Sequence, residues 1–442
     1  MRDASYIHVG SLRVHRAWLM LVGCCFLQGG TVSIVLGCCG LFFVPICDDL
    51  GFARSEIASY QSFYWLALVV SMPLAGRVLS KYNIRMVTCV SSIAVALAAG
   101  LMGTYTAVWQ WILSGLVFGT FGCLVFHLPL VTMVNNWFAD RVGMAMGIAT
   151  AVSAIAIMVF SPLIQGVITV WGWRTAYFVE AIIILVLTVP WCAFVFVRQP
   201  SDIGAQPYRR TPSPAHPSSG GESDSDRSGV LCKNALRSVS FAAVFIFAGI
   251  AAFIGSGFDS NIPGYIDSIG FSASFAAIVV SAISFGSFCE KLLMGFINDR
   301  FGVWRAVACE IVLVCLGIAG LVFLRDPVLI LIAAALFGVQ DSFTSISLPL
   351  IVRKLFGNRE YTQIYAWARV GAGLFGMFAA VSVAFSYDAF GSYVPAFAGA
   401  VGLCGLAAVV LAVASRYSER LPWTVSEAGN PAFSEKDTNR RP

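Results

Sequence analysis

The sequence predicts an all-α membrane protein of about twelve spanning helices, built as two pseudo-symmetric halves of six. Three observations carry that expectation. First, 58% of the 442 residues are hydrophobic and only 12% are charged, an apolar excess that no water-facing surface absorbs. Second, stretches of about 20 mostly apolar residues recur along the chain, the length a helix needs to cross a bilayer core with every backbone amide satisfied internally. Third, the composition changes between Arg198 and Ser238 to proline, serine, glycine and acid, a segment too poor in apolar area to fold.

Helices are expected near 17–45, 55–79, 84–105, 107–135, 142–169, 174–197, 239–264, 272–297, 303–324, 328–352, 360–387 and 392–415, numbered 1 to 12. Two six-helix halves, 1–197 and 239–415, are then joined by a disordered linker, 198–238, and followed by a tail, 416–442. The cations alternate with the helix count. Arg16, Lys81, Arg85, Arg141, Arg198, Arg209, Lys233, Arg305, Arg353, Lys354 and Arg416 fall on one side, and only Arg54, Arg174 and Arg325 on the other. Short cytoplasmic loops carry the Lys/Arg excess, so both termini and the linker are expected in the cytoplasm. The same loop cations account for the net charge of +5, and nucleic acid is not implied. The first apolar segment is longer than the core of a cleaved signal and is expected to remain as helix 1. The 13 cysteines show no C-x-x-C spacing and read as small packing residues.

The halves look related. The loop after helix 2 reads Gly76-Arg77-Val78-Leu79-Ser80-Lys81-Tyr82-Asn83-Ile84-Arg85, and the loop after helix 8 reads Gly295-Phe296-Ile297-Asn298-Asp299-Arg300-Phe301-Gly302-Val303-Trp304-Arg305. Helices 4 and 10 share an early glycine, Gly119 and Gly338, and a later proline, Pro129 and Pro349. The second loop resembles the G-x-x-x-D-R-x-G-x-R repeat of the major facilitator superfamily through Gly295, Asp299, Arg300, Gly302 and Arg305, with Gly76 and Arg85 as the first-half counterparts. The first copy departs, with Ser80 in place of the aspartate and Asn83 in place of the glycine. The run Asn136-Trp137-Phe138-Ala139-Asp140-Arg141-Val142-Gly143, with Gly51-Phe52-Ala53-Arg54-Ser55 and Gly172-Trp173-Arg174, is similar to the branch of monocarboxylate porters and oxalate:formate antiporters. The resemblance implies a facilitator fold whose repeated loop gates the cytoplasmic side.

Ionisable side chains deep in a bilayer are costly and need a partner, a wet cavity or a function. The candidates are Lys291 and Glu290 on helix 8, Arg369 on helix 11, His127 on helix 4, Asp341 on helix 10, Asp259 on helix 7, Glu180 on helix 6 and Glu310 on helix 9. Lys291 and Arg369 both sit roughly 10–15 Å deep at 1.5 Å per residue. Two cations at one level repel unless an anion lies between them, and an anionic solute is the simplest anion. The alternative is that each is met by Asp341, Glu290 or Asp259 as a structural ion pair, or that Lys291 snorkels. The resemblance adds that oxalate:formate antiporters carry basic residues on helices 8 and 11 at the matching places. Tyr64 and Tyr365 lie on helices expected to face the site and complete the expected binding set, with core packing as the other reading.

His127, Asp341 and Glu290 are candidates to carry a coupling proton. Glu180 and Glu310 lie on helices that form the outer scaffold in the family the chain resembles, where a structural role is expected. The expected function is secondary active transport of a small organic anion, a mono- or dicarboxylate, across the cytoplasmic membrane by a monomer without cofactors or metal. The alternative is a proton-coupled exporter of apolar or cationic compounds. A nucleotide-driven pump is not expected without a G-x-x-x-x-G-K-[ST] motif, nor an enzyme without a paired nucleophile and base, and a membrane sensor is the less expected rival because the linker and tail offer no obvious output domain.

Overall fold

The computed structural model describes residues 6–9, 12–138, 142–208, 228–357, 360–418 and 424–425. The linker stretch 209–227, most of the tail and Ala139, Asp140 and Arg141 of the Trp-Phe run lie outside them.

Among the described residues, ten helices are long and apolar enough to cross a membrane. One of them, 52 residues long, covers two expected helices. Helices 5 and 6 run as Val142–Pro190, broken only where Gly172 takes φ 82° and ψ 162°. A backbone with that φ accepts glycine without strain, so a single residue makes the turn for which a four-residue loop was expected. Helix 2, Arg54–Lys81, is a further 28-residue helix.

Helix 1 departs from the uninterrupted 17–45 expected of it. It consists of Arg16–Leu27, a π-helical stretch Gln28–Gly37 and, past a break at Cys38 and Cys39, Gly40–Leu50. Helices 3, 7, 8, 9, 11 and 12 are Ile84–Met102, Val239–Ser268, Ala273–Phe301, Val303–Phe323, Tyr361–Phe390 and Val394–Ser418.

Helices 4 and 10 repeat one irregularity. Helix 4 passes from Val108–Gly122 through a π-helical stretch, Cys123–His127, into Leu128–Trp137. Helix 10 passes from Pro327–Phe337 through a 3-10 turn, Gly338–Asp341, and a π-helical stretch, Phe343–Ser347, into Leu348–Phe356. In each, the wide turn ends at the residue before a Leu-Pro-Leu, where proline withholds an N–H and the ladder has to shift. In helix 4 the Gln28 side-chain amide donates to the Phe126 carbonyl at 2.8 Å, so helix 1 uses an acceptor in the widened turn.

The loops that resemble each other close differently. Gly302 stands at φ 81° before helix 9, whereas Asn83 stays at φ −64° before helix 3 and its side chain accepts from the Arg85 N–H at 3.0 Å. The second-half turn therefore favours glycine, and the first-half turn has a side-chain cap in its place.

Two buried apolar clusters form the cores. One is drawn from residues 17–205 with Ala277, Val280, Ala380 and Ala384, and the other from residues 230–414. Short pairings lie on the terminal side: an antiparallel hairpin, Tyr6–Val9 with Leu12–His15, and Ser228–Gly229 beside Thr424–Val425.

Candidate functional site

Helices 1, 2, 5, 7, 8, 10 and 11 enclose two adjoining cavities of about 230 and 240 Å³ between the halves. Leu36, Asp259, Gln340 and Asp341 line both, so they form two lobes of one compartment. The first lobe also holds Ser284, Ser287 and Lys291, and the second Gln61, Tyr64, Trp65 and Arg369.

The irregular middle of helix 10 builds the shared wall. Its 3-10 turn aims Gln340 and Asp341 into the compartment, while Ser342 and Ser347 turn to Glu310 behind it. Ser347 donates to both Glu310 oxygens, at 2.8 and 2.7 Å, and Ser342 adds a third bond. Glu310 is thus a buried brace between helices 9 and 10.

Lys291 Nζ lies 2.7 Å from Asp341 Oδ2, and the Ser287 hydroxyl donates to the same oxygen at 2.8 Å. Asp341, expected either as a proton carrier or as an ion-pair partner of the cations, is the counter-ion of Lys291. Arg369 differs: among the described residues it makes no hydrogen bond or ion pair, while lying within electrostatic reach of Asp341 and Tyr64. Across the compartment, Gln340 Nε2 donates to Asp259 Oδ2 at 3.2 Å and Oδ1 at 3.4 Å. Gly255 leaves room for that carboxamide, since a Cβ there would stand 2.7 Å from Gln340 Oε1.

Other expected residues fall elsewhere. Tyr365 is not among the residues lining the two lobes and stacks on Tyr361, ring centroids 5.7 Å apart. Glu290, next to Lys291 on helix 8, is buried with neither carboxylate oxygen hydrogen-bonded among the described residues. Glu180 is buried on helix 6 with one oxygen likewise unpartnered. The side chains of His127 and Asp299, and the surroundings of Gly76 and Gly295 in the repeated loops, lie outside what the structure describes. Of the remaining loop cations, Arg85 Nε donates to the Phe196 carbonyl at 2.6 Å, while Arg300 and Arg305 are exposed.

The other motif residues hold helix ends together. Trp137 Nε1 and Asn136 Nδ2 donate to the carbonyls of Val197 and Arg198, at 2.8 and 2.9 Å, tying helix 4 to the end of helix 6. Trp173 and Arg174 both donate to Asp49 at the end of helix 1.

Charge patterning alone left Arg54 as an exception. The structure gives it a place: its guanidinium donates to the Gly264 carbonyl at 2.9 Å and the Tyr393 hydroxyl at 3.0 Å, lies 3.4 Å from Asp267, and sits 4.0 Å over the Tyr387 ring. Deeper between the halves, Gln61 and Ser260 exchange hydrogen bonds of 2.8 and 2.9 Å. Helices 5 and 8 are tied by Ser161 to the Ala277 carbonyl and Ser281 to the Met158 carbonyl. Among the described residues, these bonds between the halves lie from mid-height to the side away from the termini, so the compartment is sealed on that side.

A family model described as Major Facilitator Superfamily matches residues 21–380 and again 244–439. The chain is similar to the MFS-type transporter pynF of Aspergillus niger, 25% identical over 68% of this chain and 66% of that protein. It is similar to monocarboxylate transporter 12 of Xenopus laevis, 22% identical over 78% of this chain and 77% of that protein. The MFS-type transporter YhjX of Escherichia coli is 21% identical over 81% of this chain and 85% of its own length. Among solved structures, the nucleoside transporter NupG superposes with a TM-score of 0.71 at 16% identity, covering 90% of this chain and 99% of that one.

Proposed function

The chain belongs to the major facilitator superfamily, and from that premise we propose that it is a secondary active transporter of small organic anions working by alternating access in the cytoplasmic membrane. The observation that carries this reading is Arg369, a guanidinium in the wall of a central compartment, without an ion pair among the described residues. A guanidinium holds its proton throughout the accessible pH range, so its charge in a low-dielectric cavity favours an anionic occupant. Its fork matches a carboxylate through two parallel hydrogen bonds.

Lys291 has a second part to play. Paired with Asp341, it contributes little net attraction to the empty site. A solute carboxylate competing with Asp341 for Lys291 would weaken the link between helices 8 and 10 and make binding felt by the second half. The halves then rock about the occupied site, opening the sealed side as the terminal side closes. With the termini in the cytoplasm, as the loop cations indicate, the present conformation is closed to the outside.

The test is thermal stabilisation of the purified protein by small carboxylates, amines and neutral solutes, with Arg369→Ala in parallel. A ligand at about 100 times its dissociation constant adds about 2.7 kcal/mol to a native state that alone binds it. Carboxylate stabilisation lost in Arg369→Ala, followed by carboxylate flux in proteoliposomes, is the expected result. Stabilisation by amines or apolar compounds that Arg369→Ala leaves intact would instead favour a proton-coupled exporter.

A further inference from the structure

We propose that the transported solute is a zwitterion, a carboxylate that also carries an ammonium group, with Arg369 receiving the carboxylate and Asp259 the ammonium. The inference rests on the carboxylate reading of Arg369 and adds a second contact to it.

The charges of the compartment carry the argument. Its lining holds four ionisable side chains: Lys291, Arg369, Asp259 and Asp341. Lys291 and Asp341 satisfy each other at 2.7 Å. That leaves Arg369 and Asp259, which line the same lobe, each without an ion pair among the described residues. Counted with Asp259 in the ionised form that an ammonium would hold, the four charges of the compartment sum to zero before the solute enters. A plain carboxylate would bring it a net negative charge beside two existing carboxylates, in surroundings where like charges repel strongly. An aminocarboxylate leaves the sum at zero and gives each unpaired group an opposite charge.

Asp259 is also built to accept rather than to pack. It is exposed to the compartment, and its hydrogen bonds come from one neutral donor, the Gln340 amide, at 3.2 and 3.4 Å. Those long bonds orient the carboxylate from the side and leave acceptor capacity on both oxygens. The orienting amide is itself placed by the contact with Gly255, so the carboxylate's direction is set by helices 7 and 10 together. The Asp259 carboxylate shares the first lobe with Lys291, and Lys291 is taken by Asp341. A cation supplied by the solute completes the site.

The experiment compares matched pairs on the full-length protein in detergent: glycine with acetate, β-alanine with propionate, 4-aminobutyrate with butyrate and 5-aminovalerate with valerate, each beside the amine of equal length. The series samples the unknown spacing between the two groups. The expected result is that one zwitterion stabilises the protein with an apparent affinity roughly 10- to 100-fold above its matched acid, the worth of a charge-assisted contact. Asp259→Asn should bring that zwitterion down to the level of its acid without weakening the acid, and Arg369→Ala should abolish binding of both. The ligand comparison in the unsubstituted protein stands even if a variant fails to fold. Acids that bind as well as their zwitterions, with Asp259→Asn indifferent to the ammonium, would overturn the inference and leave the carboxylate reading in place. Binding of the plain amine alone, lost in Asp259→Asn and untouched by Arg369→Ala, would overturn both. Stabilisation by no member of the series also overturns the zwitterion assignment.

Discussion

The Asp388 carboxylate, near the end of helix 11, accepts hydrogen bonds from the backbone N–H groups of Arg54 and Ser55, at 3.2 and 2.9 Å, and so caps helix 2 of the opposite half. A helix N-terminus presents unsatisfied N–H groups and a partial positive charge, so a carboxylate is a suitable partner. Here the cap comes from the other half, so separating the halves breaks it. Together with the Arg54 guanidinium and its partners Gly264, Tyr393 and Asp267, it forms a lock on the side away from the termini.

Asp388→Ala should therefore open that side more often without unfolding the protein. Loss of a charge-assisted cap is worth about 1–2 kcal/mol, which shifts a two-state population roughly 5- to 30-fold. Hydrogen exchange over the first turn of helix 2 reads the change directly, because the Ser55 amide is one of the bonded donors. Exchange there should quicken by about that factor while the core of helix 3 stays protected. Unchanged exchange at the first turn would mean that the cap does not hold the halves together.

The Lys291 and Asp341 pair yields a second expectation, in a double-mutant form. Removing one partner of a buried pair strands the other charge and costs about 3–5 kcal/mol in dry interiors. The cost here is reduced because the Asp341 side chain is 40% exposed to the compartment, against 11% for Lys291. Lys291→Met alone and Asp341→Leu alone should each lower the thermal midpoint, with the combined variant above either. Additive losses would show that the two charges are solvated separately.

Much of this architecture was legible in the primary structure because the bilayer imposes a strict rule: each span must be long, apolar and internally hydrogen-bonded. Ionisable residues stand out against that background, so Lys291, Asp341, Asp259 and Arg369 could be picked out. Their pairing was left open among several alternatives, of which Lys291 with Asp341 is the one formed. Helical spacing gives the depth of Lys291, but the rotation that brings Asp341 to it comes from the 3-10 turn of helix 10, which has no separate signal in the sequence. The Pro129 and Pro349 match was read only as a sign of the repeat, and the structure adds that a wide turn precedes each proline. Arg54 was visible as a cation on the unexpected side, and its partners Asp388 and Asp267 lie more than two hundred residues away. Tyr365 shows the converse error: it occupies a helix that lines the site but sits a full turn before Arg369, where it stacks on Tyr361.

Glycine contacts at the helix crossings supply a third expectation. A Cβ on Gly338 would run into the backbone of Ile283 on helix 8, with Ser287 N at 3.0 Å. One on Gly119 would meet the backbone of Tyr64 and Leu68 on helix 2, the latter at 2.9 Å. Helices 4 and 10 thus rest on helices 2 and 8 through repeat-related glycines, the close approach that small residues permit in lipid. Gly338→Val should cost about 1–3 kcal/mol or more, because backbone cannot give way as a side chain can, and should displace Gln340 and Asp341. Gly399→Val, with nothing within 4 Å, is the control. Equal thermal midpoints for the two variants would contradict the close crossing.

The far end of helix 1 supplies a pH-dependent expectation. The Arg174 guanidinium, followed by the Trp173 indole N–H, holds the Asp49 carboxyl below the usual carboxylate range. A group whose value falls on folding contributes stability that is fully present above its unfolded value, about 3.9, and is lost as pH drops through the lower folded value. The side chains of Asp49 and Arg174 are 45% and 43% exposed, so salt screens the ionic part and the contribution is small. Asp49→Asn should lower the thermal midpoint by a constant amount from neutral pH down to about 4, and the gap should narrow below that as the native carboxylate protonates. Raising the ionic strength should shrink the same gap at neutral pH. A gap independent of both acid and salt would assign the loss to the Trp173 hydrogen bond and local packing rather than to the charge, and would remove Arg174 as the residue that fixes the turn between helices 5 and 6 to helix 1.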